Sequence, residues 1–270
     1  MKIKNKLALI TGASSGIGAE TANQLALKGA TVILLARNAD NLKKVASQII
    51  NNGGKSHYYP IDLTNIKEIE NTCKTIKKEI GIPDIIFNNA GVGKWRFVEE
   101  TTEDDALEMI KVPFLSAFFI TKAFMPEILK RNSGYIINMT SFAGVFAFSG
   151  ATSYIASRKA MVGFHEALTA DLYHTKIRTA ISYFAKVESS FWNNNPGSEI
   201  RLPKAQVLIP SITAEKAAKT IVKGIQNNRS KIRAPFMIPV IEFLAWLTPQ
   251  ITRLVLHLSG FNKTKSEKTT

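Results

Sequence analysis

The sequence predicts an α/β fold in which one doubly wound parallel sheet carries helices on both faces. Two observations support this prediction. Apolar runs alternate with helical patterns as far as about residue 185, and a helix lies between each pair of successive runs. Glycine or polar residues that can bind a ligand follow the predicted strands, which is where such folds hold their ligands.

The first strand and its turn carry the most specific pattern in the chain. A short apolar run at 7–10 leads into Gly12, Gly16 and Gly18, and a helical pattern starts near Ile17. Glycines let a backbone approach a pyrophosphate closely, and the following helix directs unpaired N–H groups and a positive dipole end at it. This order predicts a dinucleotide site, although a tight connection without a ligand would have the same pattern.

The next elements alternate in type. Thr31–Ala36 is a β-branched apolar run typical of a buried strand, and the helix predicted at Asn38–Ile50 ends at the two glycines that follow it. Ser56–Ile61 is predicted to be the third strand, and Ile66–Ile80 is an amphipathic helix that ends at a glycine. Asp84–Phe87 is predicted to be the fourth strand.

The same alternation continues in the second half. Glu103–Lys130 is a long helical stretch that a proline interrupts, because proline has no N–H to donate. Tyr135–Met139 is predicted to be the fifth strand, a helix follows at about 153–174, and Ile177–Phe184 is predicted to be the sixth strand. A last regular helix is predicted at Ala214–Asn227.

Candidate ligand-binding residues follow all six predicted strands. They are Gly12, Arg37, Asp62, Asn89, Ser141 and Ala185. Because the carboxyl ends of parallel strands meet at one edge of the sheet, we expect a single site there.

The motifs at these positions resemble those of one family. The glycine spacing, Gly-xxx-Gly-x-Gly, resembles the nucleotide motif of the short-chain dehydrogenase/reductase family, which has a Rossmann-type fold. Asp62-Leu63, Asn88–Gly91 and the pair Ser141 and Tyr154, thirteen residues apart, are similar to further motifs of that family. The resemblance covers about residues 6–227.

The resemblance implies an NAD(P)(H)-dependent oxidoreductase that interconverts a carbonyl and an alcohol. It implies that Ser141 binds the substrate oxygen, that Tyr154 donates or accepts the proton, and that Arg158 holds ribose and favours ionisation of Tyr154. The four histidines show no metal-ligand spacing and there is one cysteine, so we predict no metal. The cofactor-binding residues that the resemblance implies are Gly12, Ser14, Ser15, Gly16, Ile17, Gly18, Arg37, Asp62, Leu63, Asn89, Ala90, Gly91, Tyr154, Arg158 and Val187.

Arg37 bears on the choice of cofactor. A carboxylate after the second strand would accept bonds from both ribose hydroxyls and favour NAD, whereas here Ala36 is followed by a cation. An arginine at this place can pair with a 2′-phosphate, so we predict NADP(H), with NAD(H) as the alternative. A solvated surface arginine would have no such role. Asp62 is open to a second interpretation too, as the N-cap of the next helix.

Three positions depart from the family pattern. Arg158 stands where the family has lysine, and it shares a helix face with Tyr154, unlike Lys159. Arginine does not deprotonate, so it cannot relay a proton. Pro113 stands where the family has an asparagine that holds a water. The segment after the sixth strand also differs, although Val187 keeps its place and can contact the carboxamide through its backbone. These changes keep a second hypothesis open, a nucleotide-binding pseudoenzyme with a regulatory or scaffold role.

The chain is predicted to hold one catalytic domain. Residues 1–230 would form the NAD(P)-binding domain, including a substrate loop at 188–213 whose aromatic residues predict an apolar small-molecule substrate or simply pack over the core. Residues 231–270 would form an apolar, basic C-terminal extension packed on or beside that domain. The hydrophobic content of 45% is ample for a full core. The family resemblance implies a homo-oligomer.

The formal net charge of +14 suits anionic ligands or acidic lipid surfaces. The lysines are spread along the chain and are not interleaved with aromatic residues, so we predict no nucleic-acid partner. The apolar segment 234–258 is interrupted by Glu242 and Arg253 and falls short of a clean membrane-spanning helix. It is predicted to contact a membrane peripherally, to cover the substrate pocket or to form a subunit interface.

Cysteine usage and the start of the sequence predict a compartment. The single cysteine, Cys73, excludes an internal disulfide and fits a reducing compartment. The first predicted strand begins too near the start of the sequence for a signal peptide to precede it. We therefore predict a cytoplasmic protein, with peripheral membrane contact as an alternative, and a disordered tail at 264–270.

Overall fold

Seven parallel strands form the central sheet of the computed structural model, which describes residues 1–261. Its strands are β1 (Leu7–Thr11), β2 (Thr31–Ala36), β3 (Lys55–Pro60), β4 (Ile85–Asn88), β5 (Tyr135–Met139), β6 (Arg178–Phe184) and β9 (Lys231–Ala234). Two short strands between β6 and β9, β7 (Val187–Glu188) and β8 (Ile212–Thr213), form a separate parallel pair. The order across the main sheet is β3-β2-β1-β4-β5-β6-β9. In β1, Leu9 pairs with Ile33 on one side and Ile86 on the other.

Helices lie on both faces of this sheet. In chain order they are α1 (Gly16–Leu27), α2 (Ala39–Asn51), α3 (Ile66–Glu79), α4 (Glu103–Ile110), α5 (Ser116–Arg131), α6 (Phe142–Val145), α7 (Thr152–Asp171), α8 (Phe191–Asn194), α9 (Ala214–Gln226), α10 (Ile238–Leu247) and α11 (Pro249–Ser259). Single turns of 3-10 helix lie at Val98–Glu100, Glu199–Arg201 and Lys204–Leu208.

Two apolar layers hold these helices on the sheet, and β1 contributes to both. Ile10 packs with Leu25 of α1 and Ile221 of α9 on one face. Leu9, which points the other way because side chains alternate along a strand, packs with Phe124 of α5 and Leu168 of α7. The predicted doubly wound parallel sheet is therefore confirmed.

Most predicted boundaries lie within a few residues of the observed ones, and β2 and β5 have the predicted bounds. The strand β9, which was not predicted, pairs in parallel with β6 and lies inside the segment 231–270. Its four residues alternate charged and apolar, because an edge strand is buried on one side only, and so short a run has no clear signal. The tail at 264–270 lies outside the described residues.

Pro113 divides the long helical stretch as predicted, and the structure shows how. Residues Lys111–Leu115 form a π-helical turn between α4 and α5. Proline has no N–H, and its ring collides with the carbonyl group four residues back, so the wider π turn replaces the α-helical one. The Ser116 hydroxyl donates to the Val112 carbonyl oxygen in this turn.

The same stretch, Glu103–Arg131, is long and apolar enough to cross a membrane by length and composition alone. Its residues Ile120, Phe124 and Ile128 are buried against the sheet. We therefore interpret the stretch as a core element, since its apolar face already has protein partners.

His165 gives the fold an acid-sensitive element. It is buried on α7, and burial, aided by the charge of Lys231, lowers its pKa from 6.5 to about 4. Because the folded state disfavours the proton, its contribution to stability is present above pH 6.5 and is lost as the pH falls towards 4. Between pH 7 and 5 we expect wild type to lose about 2 kcal/mol more than His165→Leu, measured by urea unfolding.

The exposed His57 provides the control for this measurement. His57→Leu should keep the acid slope of wild type. An equal slope in wild type and His165→Leu would show that His165 does not titrate with folding.

Candidate functional site

A cleft of about 1330 Å³ opens at the carboxyl ends of the strands, beside the point where the strand order reverses between β1 and β4. Its wall contains every candidate site residue predicted above except Gly18. The fold therefore brings together residues that are as much as 175 positions apart, from Gly12 to Val187.

The glycine turn is shaped by backbone requirements. Gly12 and Gly16 have φ angles of 64° and 55°, in the left-handed region that favours glycine. A Cβ at Gly12 would lie 2.9 Å from the Cα of Ala90. Gly18 is the third residue of α1, where a Cβ would overlap the Gly12 carbonyl oxygen and approach Asn89 Nδ2 to 2.6 Å. Gly18 thus lets the helix pack under the turn and does not line the cleft.

The start of α1 is free to receive an anion. Ser15 is the N-cap, yet its side chain makes no capping hydrogen bond, and the first turn holds no acidic residue. The backbone N–H groups of this turn are therefore left to an external acceptor. Ser14, Ser15 and Ile17 line the cleft here, so the turn and helix end fit the diphosphate of a dinucleotide.

The Asn-Asn-Ala-Gly motif ties neighbouring strands together. Asn88 Nδ2 donates to Asn138 Oδ1 of β5 at 2.9 Å, and Asn89 Nδ2 donates to the carbonyl oxygen of Thr11 at 2.9 Å. The Thr11 hydroxyl in turn accepts the N–H groups of Asn89 and Ala90. These bonds hold the ends of β1, β4 and β5 at one level around the cleft.

Arg37 lies at the rim, after β2. Its side chain is exposed and forms an ion pair with Glu108 of α4, at 3.4 Å between Nη1 and Oε1. Glu108 also pairs with Lys94 at 3.3 Å, and all three side chains line the cleft. An exposed pair of this length contributes little stability, so Arg37 remains available to another anion.

Asp62 has a role that differs from the predicted N-cap. Its carboxylate accepts the N–H of Thr64 at 2.9 Å, which forms a local turn after β3. Asn65 is the N-cap of α3 and accepts the N–H groups of Lys67 and Glu68. The capping interpretation of Asp62 was therefore wrong, and Asp62 and Leu63 are left lining the cleft.

Tyr154 and Arg158 lie side by side on α7, as their spacing predicts. Tyr154 is 5% exposed and Arg158 4%. The guanidinium carbon of Arg158 lies 4.8 Å from the centroid of the Tyr154 ring, and Nη2 donates to the Val92 carbonyl oxygen at 3.3 Å. Gly91 makes this possible, because a Cβ there would overlap the guanidinium. Lys159 points away and donates to the Gly144 carbonyl oxygen.

A buried polar atom of Arg158 is unused. Its Nε has no hydrogen-bond partner among residues 1–261. Because an unpaired buried donor is costly, this N–H suits an acceptor that a bound ligand would bring into the cleft.

Ser141 is the N-cap of α6 and faces the same cleft. Its oxygen accepts the N–H of Ala143 at 3.2 Å. The hydroxyl proton is then free to be donated to a ligand oxygen.

An aromatic cage surrounds Tyr154, and only part of it was predicted from the sequence. The centroid of the Trp95 ring lies 5.3 Å from that of Tyr154, 5.2 Å from Phe148 and 5.6 Å from Trp192. Phe191 lies 6.4 Å from Tyr154. Trp192 and Phe191 were predicted from the substrate loop, but Trp95 was missed, although it follows the carboxyl end of β4 as the other site residues follow their strands.

The substrate loop is more ordered than the predicted loop. It contains α8 and two 3-10 turns, and two of its buried side chains bind the segment after β4. Asn195 Oδ1 accepts the N–H of Gly93 at 2.9 Å, and the Ser198 hydroxyl donates to the Gly93 carbonyl oxygen at 2.8 Å. These contacts close the loop over the aromatic cage.

Val187 lies in the cleft wall, at β7. Its carbonyl oxygen accepts the indole N–H of Trp192 at 2.9 Å, which engages one of its two lone pairs and fixes Trp192 beside it.

The Cys73 thiol lies outside the wall of this cleft. Burial raises the pKa of the Cys73 thiol to about 12, so the thiol is unreactive at neutral pH. Within residues 1–261, no three His, Cys, Asp or Glu side chains are arranged to hold a metal ion.

Comparison with known proteins identifies the family. The sequence model of the family described as short chain dehydrogenase matches residues 6–197. The chain belongs to the short-chain dehydrogenase family. The seven-stranded parallel sheet and its flanking helices are the Rossmann-type fold that the sequence motifs imply for this family.

Curated relatives in this family have several activities. The chain is 29% identical to a fatty acyl-CoA reductase of Acinetobacter baylyi over 96% of this chain and 85% of that protein. It is 28% identical to human 17-beta-hydroxysteroid dehydrogenase 13 over 94% of this chain and 83% of that protein.

Solved structures share the fold. A short chain dehydrogenase/reductase from Burkholderia phymatum in complex with NAD has a TM-score of 0.82 at 22% identity, covering 93% of this chain and 96% of that one. A short-chain dehydrogenase from Sphingobium yanoikuyae in complex with NADPH has a TM-score of 0.80 at 20% identity, covering 96% and 99%. At these identities the likeness shows the fold alone.

Proposed function

We propose that this short-chain dehydrogenase interconverts a carbonyl and an alcohol on an apolar small molecule, with NADP(H) as cofactor. One observation carries the proposal. The phenol of Tyr154 and the hydroxyl of Ser141 line a single cleft whose other end is the glycine turn at the start of α1. A dinucleotide held at that turn would give the hydride in reduction and accept it in oxidation, while the side chains orient the substrate and transfer the proton.

Each residue has a definite task in this proposal. The Ser141 hydroxyl donates a hydrogen bond to the substrate oxygen and holds it beside Tyr154. Tyr154 gives its proton to that oxygen during reduction and takes it back during oxidation. Arg158 keeps a positive charge against the ring of Tyr154, where it stabilises the phenolate left after proton donation.

The cleft wall favours an apolar substrate. Trp95, Phe148, Phe191 and Trp192 surround the Tyr154 end, and burying apolar substrate surface against them is favourable. The indole N–H of Trp95 is buried without a partner among the described residues, so it offers one hydrogen bond to a polar group of the substrate.

The cofactor preference depends on Arg37. Arg37→Asp should weaken NADPH binding about 10–100-fold, because a charge-assisted contact with the 2′-phosphate is replaced by repulsion. NADH, which lacks that phosphate, should be affected less than about threefold. Isothermal titration calorimetry with both nucleotides would measure this.

Lys43→Asp is the matched control, since Lys43 is an exposed cation of α2 outside the cleft wall. It should change neither affinity. Equal losses for NADPH and NADH in Arg37→Asp would refute the assignment of Arg37.

A second function has its own support. Arg158 cannot pass on a proton, and Pro113, in the π turn, has no polar side-chain group to hold a relay water. These two residues favour a nucleotide-binding pseudoenzyme that regulates or scaffolds a partner. Such a protein would bind NADPH and consume none of it.

The deciding experiment is turnover with a panel of aldehydes and ketones under saturating NADPH. Oxidation of NADPH, followed at the nicotinamide absorbance band, is expected with at least one apolar carbonyl. Tight NADPH binding with no oxidation across the panel would support the pseudoenzyme instead.

We also propose that the protein forms a homo-oligomer and acts in a reducing, cytoplasmic-type compartment. Phe118 on α5 is exposed and packs beside Phe114 and Phe164, which gives α5 and α7 an apolar face suited to a second copy. The free thiol of Cys73 is consistent with the compartment.

A further inference from the structure

Helices α10 and α11 form a hairpin at the end of the described chain, here called the C-terminal hairpin (residues 238–259). Ile238 is fully buried against Ile181 and Tyr183 of β6. The Glu242 carboxylate accepts hydrogen bonds from the Tyr183 hydroxyl and the Arg233 guanidinium. The start of the hairpin is therefore anchored on the edge of the central sheet.

One side of the hairpin belongs to the cleft. Six apolar residues of the hairpin are in the cleft wall: Ile241, Leu244, Ala245, Ile251, Val255 and Leu256. Leu208 and Ile209 of the substrate loop join them. No charged side chain of the hairpin lines the cleft, so this end of the cleft is an apolar compartment.

The other side of the hairpin is apolar and uncovered. Trp246 is 76% and Leu258 77% exposed, and Phe243, Leu247 and Leu254 are each more than half exposed. Exposed Val207 extends this surface, because α11 contacts the 3-10 turn at Lys204–Leu208. A contiguous apolar surface of this kind marks an interaction site, since single exposed apolar residues are normal but clusters are not.

Three residues lie at the boundary between the cleft-lining side and the exposed side of the hairpin. Leu244, Ile251 and Val255 line the cleft, yet 51%, 60% and 47% of their surface is exposed. They therefore stand at a mouth that connects the inside of the cleft with the outer apolar surface. A substrate that enters the cleft from the outer apolar surface would pass these side chains on its way to Tyr154.

The charges around the hairpin indicate what covers it. Glu242 is the only carboxylate side chain between 234 and 261, and it is turned inward to Arg233. Lys204 and Arg253 are exposed, and neither forms a salt bridge within residues 1–261. Apolar side chains with an exposed Trp246 and cations, and no free acid, are complementary to an anionic lipid surface. A second copy docked on this face would bring the same exposed cations and no free acid from 234–261 against it, so the hairpin is not complementary in charge to itself.

We propose that the C-terminal hairpin docks on an anionic lipid surface, and that a long-chain carbonyl or alcohol enters the cleft from the lipid through the mouth at Leu244, Ile251 and Val255. This inference rests on the proposed function for its substrate, but lipid docking itself does not. The cleft volume of about 1330 Å³ exceeds the roughly 300–1,000 Å³ of ordinary small-molecule pockets, as a site for both a dinucleotide and an acyl chain requires.

The test is co-sedimentation of the full chain with phosphatidylcholine vesicles, with and without phosphatidylserine. Wild type should sediment with the anionic vesicles and less with the neutral ones. Phe243→Glu combined with Trp246→Glu should lower the partition coefficient at least tenfold, because two apolar anchors are lost and two carboxylates face anionic lipid. Neither residue is in the cleft wall, so NADPH binding should stay at the wild-type value.

Two matched variants sharpen the test. Leu27→Glu makes the same exposed apolar-to-carboxylate change at the end of α1 and should sediment like wild type. Arg253→Gln should lower binding to anionic vesicles about fivefold and leave binding to neutral vesicles unchanged, as removal of one cation predicts.

Substrate delivery is tested with a long-chain aldehyde dissolved in the vesicles and a short aldehyde in water. The double variant should lose at least tenfold in rate on the first and keep its rate on the second. The proposal would be overturned if the wild-type protein turned over aldehydes but bound neither kind of vesicle. It would also be overturned if the only effect of the double variant were to convert a dimer into a monomer. Vesicle binding without any turnover would refute the proposed function and leave docking standing.

Discussion

Tyr154→Phe is expected to lower kcat by about 10²–10⁴-fold, the contribution of a positioned proton donor, and to weaken NADPH binding far less, because only the hydroxyl is lost. The phenol is the only group proposed to exchange a proton with the substrate oxygen. Its hydroxyl makes no hydrogen bond within residues 1–261, and its ring packs between Trp95 and Arg158. Phenylalanine keeps this packing, so the melting temperature should stay near that of wild type while steady-state turnover falls.

Tyr173→Phe is the control for that experiment. Tyr173 is exposed just after α7 and away from the cleft, so this variant should turn over like wild type. If Tyr154→Phe retained full kcat on a substrate that wild type reduces, the proton would come from another group. The proposed mechanism would then be wrong.

Gly18→Ala is expected to have the second-largest effect. The added Cβ would overlap the Gly12 carbonyl oxygen and lie 2.6 Å from Asn89 Nδ2, so α1 must move away from the turn. Overpacking of this kind costs about 1–3 kcal/mol of unfolding free energy. Because the same shift moves the backbone N–H groups at the start of α1, NADPH affinity should fall about tenfold or more. Urea unfolding and calorimetry would measure the two effects.

Gly163→Ala is the matched control, because a Cβ at Gly163 on α7 would meet nothing within 4 Å. There alanine should stabilise the helix by about 0.5–1 kcal/mol and leave NADPH binding unchanged. Unchanged NADPH affinity in Gly18→Ala would mean that the turn does not hold the cofactor.

The local parts of the site could be predicted because each depends on neighbours in sequence. Gly12 and Gly16 were identified from spacing alone, and the structure places both at positive φ. Tyr154 and Arg158 were predicted to be neighbours because residues four apart share a helix face, and their side chains are in contact. The alternation of strands and helices predicted one sheet and one ligand edge, and the cleft lies at that edge.

Other parts depend on residues far apart in the chain. Gly18 looked like a cofactor contact, but its constraint comes from Gly12 and Asn89. The substrate loop was predicted without its partners, and the structure shows that Asn195 and Ser198 bind Gly93, about 100 residues earlier. No local pattern encodes such pairings, because the partner is chosen only when the sheet assembles.

The C-terminal segment shows most clearly what the sequence leaves open and what the structure decides. Its apolar, basic composition was compatible with membrane contact, with a cover over the substrate pocket or with a subunit interface. The structure shows that one side of the hairpin lines the cleft and the other is exposed, with Glu242 turned inward.

The sequence by itself determined the fold class, the glycine turn and the pairing of Tyr154 with Arg158, because backbone freedom and helical periodicity act over a few residues. Only the tertiary structure decided which side chains form the aromatic cage, where β9 adds to the sheet and which face of the hairpin meets the cleft. Those outcomes depend on burial between distant segments, and burial is defined only once the chain has packed.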